Sequence, residues 1–248
     1  MSLLLILFLV GIVVFITHTL ESITGFGCTV LAFPFVIALM GDLELAKIVL
    51  SILAWILALY FVIVKFKHIN WKQFGVIILL TGLGLPLGMM IFKALDPVIL
   101  KRILGVFIIV TAGIQIVRMF FPNVNVRSFP SFIGYGFLLF VGGIVHGAFA
   151  VGGPLVVLYS AEKIPNKSQF RSTMVLLWTV LNTVLIIQYF LEKKLTKEVG
   201  FDLLVLLPFL IGGIIVGEYI HNKVNEALFK KIVFISLFLV GIVMTFFS

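Results

Sequence analysis

The residues able to do chemistry fall into two short neighbourhoods of the chain. His18 and Glu21 stand just ahead of Gly25-Phe26-Gly27, and His146 stands just ahead of Gly152-Gly153-Pro154. Each glycine cluster interrupts long apolar sequence. Glycine is a poor helix former, and unwound backbone in an apolar solvent exposes peptide groups that lipid cannot satisfy. Such a break belongs beside protein or a water-filled cavity. A helix that starts behind it points free N–H groups and the positive end of its dipole into that space, which suits an anion. Gly25, Phe26 and Gly27 in the first cluster, with Gly152, Gly153 and Pro154 in the second, are therefore the expected backbone site. Phe26 is read as a gate or an apolar wall. Pro154 fits a first helical position, because the N–H it lacks would have been unpaired there anyway.

Fixed charge and protons come next. Lys47 and Arg171 each open the apolar run that follows a short one. A cation near the cavity attracts an anion, and a guanidinium can hold an oxyanion through two N–H groups. Ser51 and Ser172 add hydroxyl donors. His18, Glu21 and His146 are candidates for a coupling proton, since an ionisable group inside a membrane segment is a functional hypothesis by default and histidine titrates near neutrality. The chemistry on offer is binding and release. No Ser/His/Asp order, HExxH or CxxC pattern is present. His18 and Glu21 lack further ligands for a metal site, and Cys28, the only cysteine, excludes an internal disulfide. The sequence reads as a non-enzyme without a cofactor.

Composition dictates the elements that must hold these residues. The chain has 248 residues, 62% hydrophobic and 11% charged, against about 45–50% and about 25% in soluble domains. A water-soluble fold of this composition would have no polar surface, which excludes a soluble enzyme, a nucleic-acid-binding domain and a disordered chain. Its net charge of +8 sits in short clusters between apolar runs, as expected of loops facing lipid headgroups. Ten apolar runs are visible, at 3–19, 28–40, 48–64, 74–92, 103–121, 132–145, 154–160, 172–190, 201–216 and 232–247. A spanning helix needs roughly 20 residues, so the second run of each half is too short to cross alone and reads as a broken or re-entrant helix. Residues 1–20 lack a basic start and a small-residue cleavage site, and read as the first membrane segment.

The two halves repeat one another. Gly84-Leu85-Pro86-Leu87-Gly88 followed by Lys101-Arg102 returns as Gly213-Ile214-Ile215-Val216-Gly217 followed by Lys230-Lys231. Each half also holds an apolar run, a glycine break, a short run, a polar loop, a cation and then a tryptophan, Trp55 or Trp178. Gly82, Gly84 and Gly88, with Gly212, Gly213 and Gly217, read as helix-packing surfaces. The expected fold is an all-α, polytopic integral membrane protein of about 8–10 membrane segments. It forms one domain, 1–248, made of repeat 1 (1–121) and repeat 2 (132–248) joined by a linker at 122–131. Five runs per half favour inverted over parallel repeats. A duplicated membrane domain with a broken helix in each half is the pattern of a secondary transporter. A passive anion channel is the nearest rival, and a membrane assembly or insertion factor a more distant one. The partners expected are a small anion, membrane lipid and a coupling proton or cation, with no nucleic acid.

The glycine motifs resemble those of a known family. Gly25-Phe26-Gly27 with Pro34, and Gly147-Ala148-Phe149-Ala150-Val151-Gly152-Gly153-Pro154, are similar to the paired motifs of the TauE/SafE sulfite exporters, and the glycine stretch ahead of each basic pair is similar to the end of that family's repeat. The likeness covers nearly the whole chain. One position departs from it: Ser160 stands where a second proline would match Pro34. The resemblance implies a multi-pass transporter in the plasma membrane of a prokaryote, moving sulfite, thiosulfate, sulfonates or related organic anions.

Overall fold

Four of the helices begin with an Asx cap, and the two helices behind the glycine breaks do not. In the computed structural model, which describes residues 2–120 and 132–220 with Phe238, Ile242 and Thr245, α1 is Leu3–Thr24, α2 Cys28–Met40, α3 Leu43–Lys65, α4 Trp71–Ala94 and α5 Pro97–Phe120. The second half supplies α6, Phe132–Phe149, α7, Gly153–Lys163, α8, Lys167–Leu191, and α9, Lys197–Ile220. Asp42 accepts from the Glu44 and Leu45 N–H groups ahead of α3, Asn70 from Gln73 ahead of α4, Asp96 from Val98 ahead of α5 and Asn166 from Gln169 ahead of α8. Each satisfies donors that a helix start leaves over. By contrast α2 starts behind Gly27 and α7 behind Gly152, neither of which has a side chain to offer. The expected linker at 122–131, the pair Lys230-Lys231 and most of the tenth run lie outside the described residues.

Among the described residues six helices are long and apolar enough to cross a membrane: α1, α3 with the turn after it, α4, the Pro97–Ile114 part of α5, α8 and α9. The described residues are thus all-helical, and the chain is a polytopic membrane protein. Both expected short segments are short here, 13 residues in α2 and 11 in α7.

Three pairings organise the bundle. α1 lies along α9, α4 along α6, and α3 crosses α8. Contacts fix their directions. Along the first seam Gly11 meets Phe209, Gly213 meets Phe15 and Gly217 meets Ser22, so α1 and α9 are parallel. Gly84 meets Phe140 and Gly88 meets Ala148, so α4 and α6 are parallel too. α3 and α8 are antiparallel: Ser51 faces Tyr189, Trp55 donates to Thr183, and Phe61 lies under Arg171. The two parallel seams explain most of the packing glycines. A methyl group on Gly84 would strike the Phe140 carbonyl, one on Gly88 the Ile144 carbonyl, one on Gly143 the Thr81 carbonyl and one on Gly217 the Ser22 side chain. Backbones come this close only where side chains are missing, and without a hydrophobic drive between helices in lipid that contact supplies the attraction. Gly82 faces open space and is not part of the seam.

Gly88→Val is expected to force α4 off α6 and destabilise the fold by about 1–3 kcal/mol, measured by thermal unfolding in detergent. Gly82→Val on the same helix should leave the transition nearly unchanged.

Candidate functional site

The first break is closed by one residue acting twice. Gly25 ends α1 in the left-handed region at φ 84°, and its N–H donates to the Glu21 carbonyl at 2.7 Å. Gly27, at φ 106°, then turns the chain into α2. The first N–H of α2, on Cys28, donates to Glu21 Oε2 at 2.8 Å. Glu21 therefore ends one helix with its backbone and starts the next with its carboxylate, taking the capping role that Gly27 cannot fill. The Thr24 hydroxyl lies within hydrogen-bond distance of two carbonyls, Leu20 one turn back at 2.9 Å and Phe26 across the turn at 2.8 Å. The Gly25 carbonyl accepts from Trp178 Nε1 on α8 at 3.0 Å.

The second break uses a different residue for the same bend. α6 ends at Phe149, and Ala150 takes φ 58° with its N–H donating to the His146 carbonyl at 2.6 Å. Left-handed backbone is uncommon outside glycine. α7 then starts at Gly153 with Pro154 in its first turn. His146 is 3% exposed; its Nε2 lies 3.1 Å from Asn182 Oδ1, and its Nδ1 has no partner among the described residues. Its ring stacks on Trp178 at 5.5 Å between centroids and 19° between planes. Trp178 thus touches both breaks, through the Gly25 carbonyl and through the His146 ring.

The breaks meet. Glu21, Gly27, Thr29 and Val30 from the first, and His146, Ala150, Val151 and Gly153 from the second, line one cavity together with Ala54, Trp178 and Asn182. Its volume of about 20 Å³ is room for about one water molecule. The first-turn N–H groups of a helix have no acceptor inside it, so Thr29 and Val30 bring backbone donors to this space.

Other expected residues hold the surroundings. Gly25 packs against the Arg171 backbone, and Phe26 stands edge-on to Phe170 at 6.0 Å. Gly152 presses on the Gly142 carbonyl and the His146 side chain, while Pro154 is buried in the first turn of α7. His18 is fully buried, with Nδ1 2.9 Å from the Val14 carbonyl and Nε2 unpartnered among the described residues. Ser51 donates to the Lys47 carbonyl at 2.6 Å, and Ser172 is buried on α8.

Lys47 and Arg171 do not line the cavity; they stand near opposite ends of the α3–α8 pair. Arg171 donates to Glu218 of α9 at 2.7 Å, lies over Phe61 and shares Glu218 with Lys65. Lys47, 2% exposed, has no carboxylate partner among the described residues. Its ammonium donates to the Gly147 carbonyl of α6 at 2.8 Å and lies 3.8 Å over the Phe92 ring. Phe92 also lines a larger cavity of about 520 Å³ at that end of the bundle, with Asp42, Glu44, Lys93 and Lys194 at its walls. Lys194 pairs with Glu44, and Lys93 with Glu192. Burial pushes the Glu192 carboxyl up, but its bonds to Lys93 and Gln188 outweigh that and hold it below the usual carboxylate range.

Sequence reasoning singled out Trp178 only as a mark of duplication and did not assign Asn182 a place in the site. A mid-membrane amide and an indole N–H that need partners were the available signals. Among the described residues no group of three His, Cys, Asp or Glu side chains could hold a metal ion.

The molecule is a multi-pass helical membrane bundle in which two glycine breaks meet at one small cavity. The family model described as Sulfite exporter TauE/SafE matches residues 9–244, and the chain belongs to that family. No curated protein and no solved structure matches it.

Ala150→Gly is expected to remove the left-handed strain and raise stability by about 0.5–1 kcal/mol, read as a higher unfolding temperature. An unchanged or lower value would mean that the lost methyl contact outweighs the relief.

Proposed function

We propose that the protein is a secondary transporter of small sulfur-containing or organic anions, of the sulfite, thiosulfate or sulfonate type, in the plasma membrane of a prokaryote. It is a carrier and not an enzyme. One observation carries the reading: two glycine breaks more than a hundred residues apart in sequence line the same buried cavity. The first-turn backbone donors of α2 and α7, which start behind Gly27 and at Gly153, form the anion site, and Gly25, Phe26, Gly152 and Pro154 shape the two turns that bring them there. Lys47 and Arg171, with Ser51 and Ser172 beside them, set a positive potential on the two approaches. His18, Glu21 and His146 are the groups available to carry a coupling proton.

The helix directions support two inverted repeats, 1–121 and 132–248, joined at 122–131. In that scheme α3 and α8 are equivalent, and they run antiparallel. The first helix of each half lies along the fourth of the other, as α1 with α9 and α6 with α4. Such an exchange follows from a two-fold axis in the membrane plane. The glycine seams are too tight to slide, so motion that keeps them intact falls at the α3–α8 crossing. A cavity that admits about one water also favours alternating access over a standing pore, because an anion enters only when the bundle opens.

Two measurements test this reading. Labelled thiosulfate should exchange into proteoliposomes faster when unlabelled thiosulfate is present on the far side; a passive channel shows no such acceleration. A methyl group on Gly153 would meet only Trp178, at 3.9 Å. Gly153→Ala should therefore keep transport, while Gly153→Leu should fill the cavity and reduce transport at least tenfold with the fold intact. Full activity in Gly153→Leu would remove the break from the mechanism.

A further inference from the structure

The anion site is already occupied, by the chain's own carboxylate. Glu21 is 3% exposed, lines the cavity and takes the leading N–H of α2 at 2.8 Å. It holds the position that the dipole of α2 offers to any incoming anion. A second feature of the same wall is prepared for a ligand: His146, also 3% exposed, has a ring nitrogen with no partner among the described residues. A carboxylate and a second anion on the same few donors repel each other strongly among these buried walls, where the dielectric is low.

We propose that Glu21 is a tethered stand-in for the transported anion, and that the anion takes its place only as Glu21 gains a proton from water. This rests on the anion-site reading above and adds the stoichiometry to it. Written out, the carboxylate accepts H⁺ and becomes a neutral acid, its bond to the Cys28 N–H weakens, and the anion accepts that N–H instead. No covalent bond to the anion forms. Release reverses both steps, so anion and proton are bound in fixed ratio at one site.

The surrounding charged and titratable groups leave Glu21 as the responsive one. Cys28 on α2 gives Glu21 both its backbone N–H and a hydrogen bond from its thiol. Lys47 on α3 is held by the Gly147 carbonyl, and Arg171 on α8 is tied to Glu218 of α9. Asp202, buried on α9, belongs to the opposite end of that helix from Glu218. His18 on α1 and His146 across the cavity are the alternatives that the test must separate.

The probes are thiosulfate and methanesulfonate, which stay ionised from mildly acidic to mildly alkaline pH, so any pH effect belongs to the protein. Calorimetric titration of the purified protein in buffers of different ionisation heat reads protons and anions together. Where Glu21 is ionised, affinity should rise up to about tenfold per unit fall in pH, with about one proton taken up per anion. Glu21→Gln keeps an oxygen for the Cys28 N–H and mimics the protonated acid. It should bind the same probe at every pH as the native protein does in acid, with no proton uptake. Binding by the native protein without proton uptake overturns the proposal, and needs no variant. So does a Glu21→Gln protein that keeps the pH slope, which would make Glu21 a helix cap only, or a slope lost in His146→Gln or His18→Gln but kept in Glu21→Gln. Failure of both probes to bind the native protein at any pH overturns the anion-site reading itself.

Discussion

Backbone peptide groups inside a membrane must find partners within the protein, and that constraint explains why the glycine breaks look as they do. The starts of α3, α4, α5 and α8 are served by their own Asp or Asn. The breaks have neither water in quantity nor a local cap. Their peptide groups are served by side chains from other places: Glu21 on the Cys28 N–H, Trp178 on the Gly25 carbonyl and Lys47 on the Gly147 carbonyl. Two of these cross between the halves. Trp178 in the second half serves the first break, and Lys47 in the first half serves the helix leading to the second. Neither half could bury its interrupted helix alone.

The same exchange makes the glycine seams necessary. Trp178 reaches Gly25 only if α8 lies against the end of α1, and Lys47 reaches Gly147 only if α3 lies against the end of α6. Holding α1 on α9 and α6 on α4 at backbone contact brings those ends to the central pair. A larger residue at Gly88 or Gly143 would move the site as well as the seam, since Gly147 and His146 ride on the same helix.

Most of the scaffold could be read from the chain because lipid makes hydropathy so direct a signal. The short second segment was readable to the residue, 28–40, because Gly27 and Gly41 bound it. The end of α1 was not: the apolar run stops at 19, yet the helix continues to Thr24. Its last turns hold Glu21, Ser22 and Thr24, polar residues that lipid would reject. They are accommodated because Ser22 and Thr24 return their hydroxyls to the His18 and Leu20 carbonyls and Glu21 faces the cavity. The breaks were legible as a pair. The partners that complete them were not, because spacing puts a cation or a tryptophan on a helix without saying which way it faces. Lys47 and Arg171 are the instructive cases, expected beside the cavity and found on its flanks.

Those two cations also differ in a way that their matching places in the sequence hide. Arg171 spends its charge on Glu218, at a bond length of 2.7 Å, with Lys65 on the same carboxylate. Lys47 has a carbonyl and two aromatic rings around it, Phe92 near and Tyr189 farther, and no carboxylate among the described residues. A carbonyl and a ring face stabilise a cation less than an opposite charge does, and removing the counter-ion from a buried charge is costly. The field at the two ends of the α3–α8 pair is therefore unequal. On the transport reading proposed above, an anion over Phe92 would compete for the Lys47 ammonium with the Gly147 carbonyl, whereas one beside Arg171 would compete with Glu218. A resident carboxylate already neutralises the Arg171 end, and among the described residues none does so at Lys47.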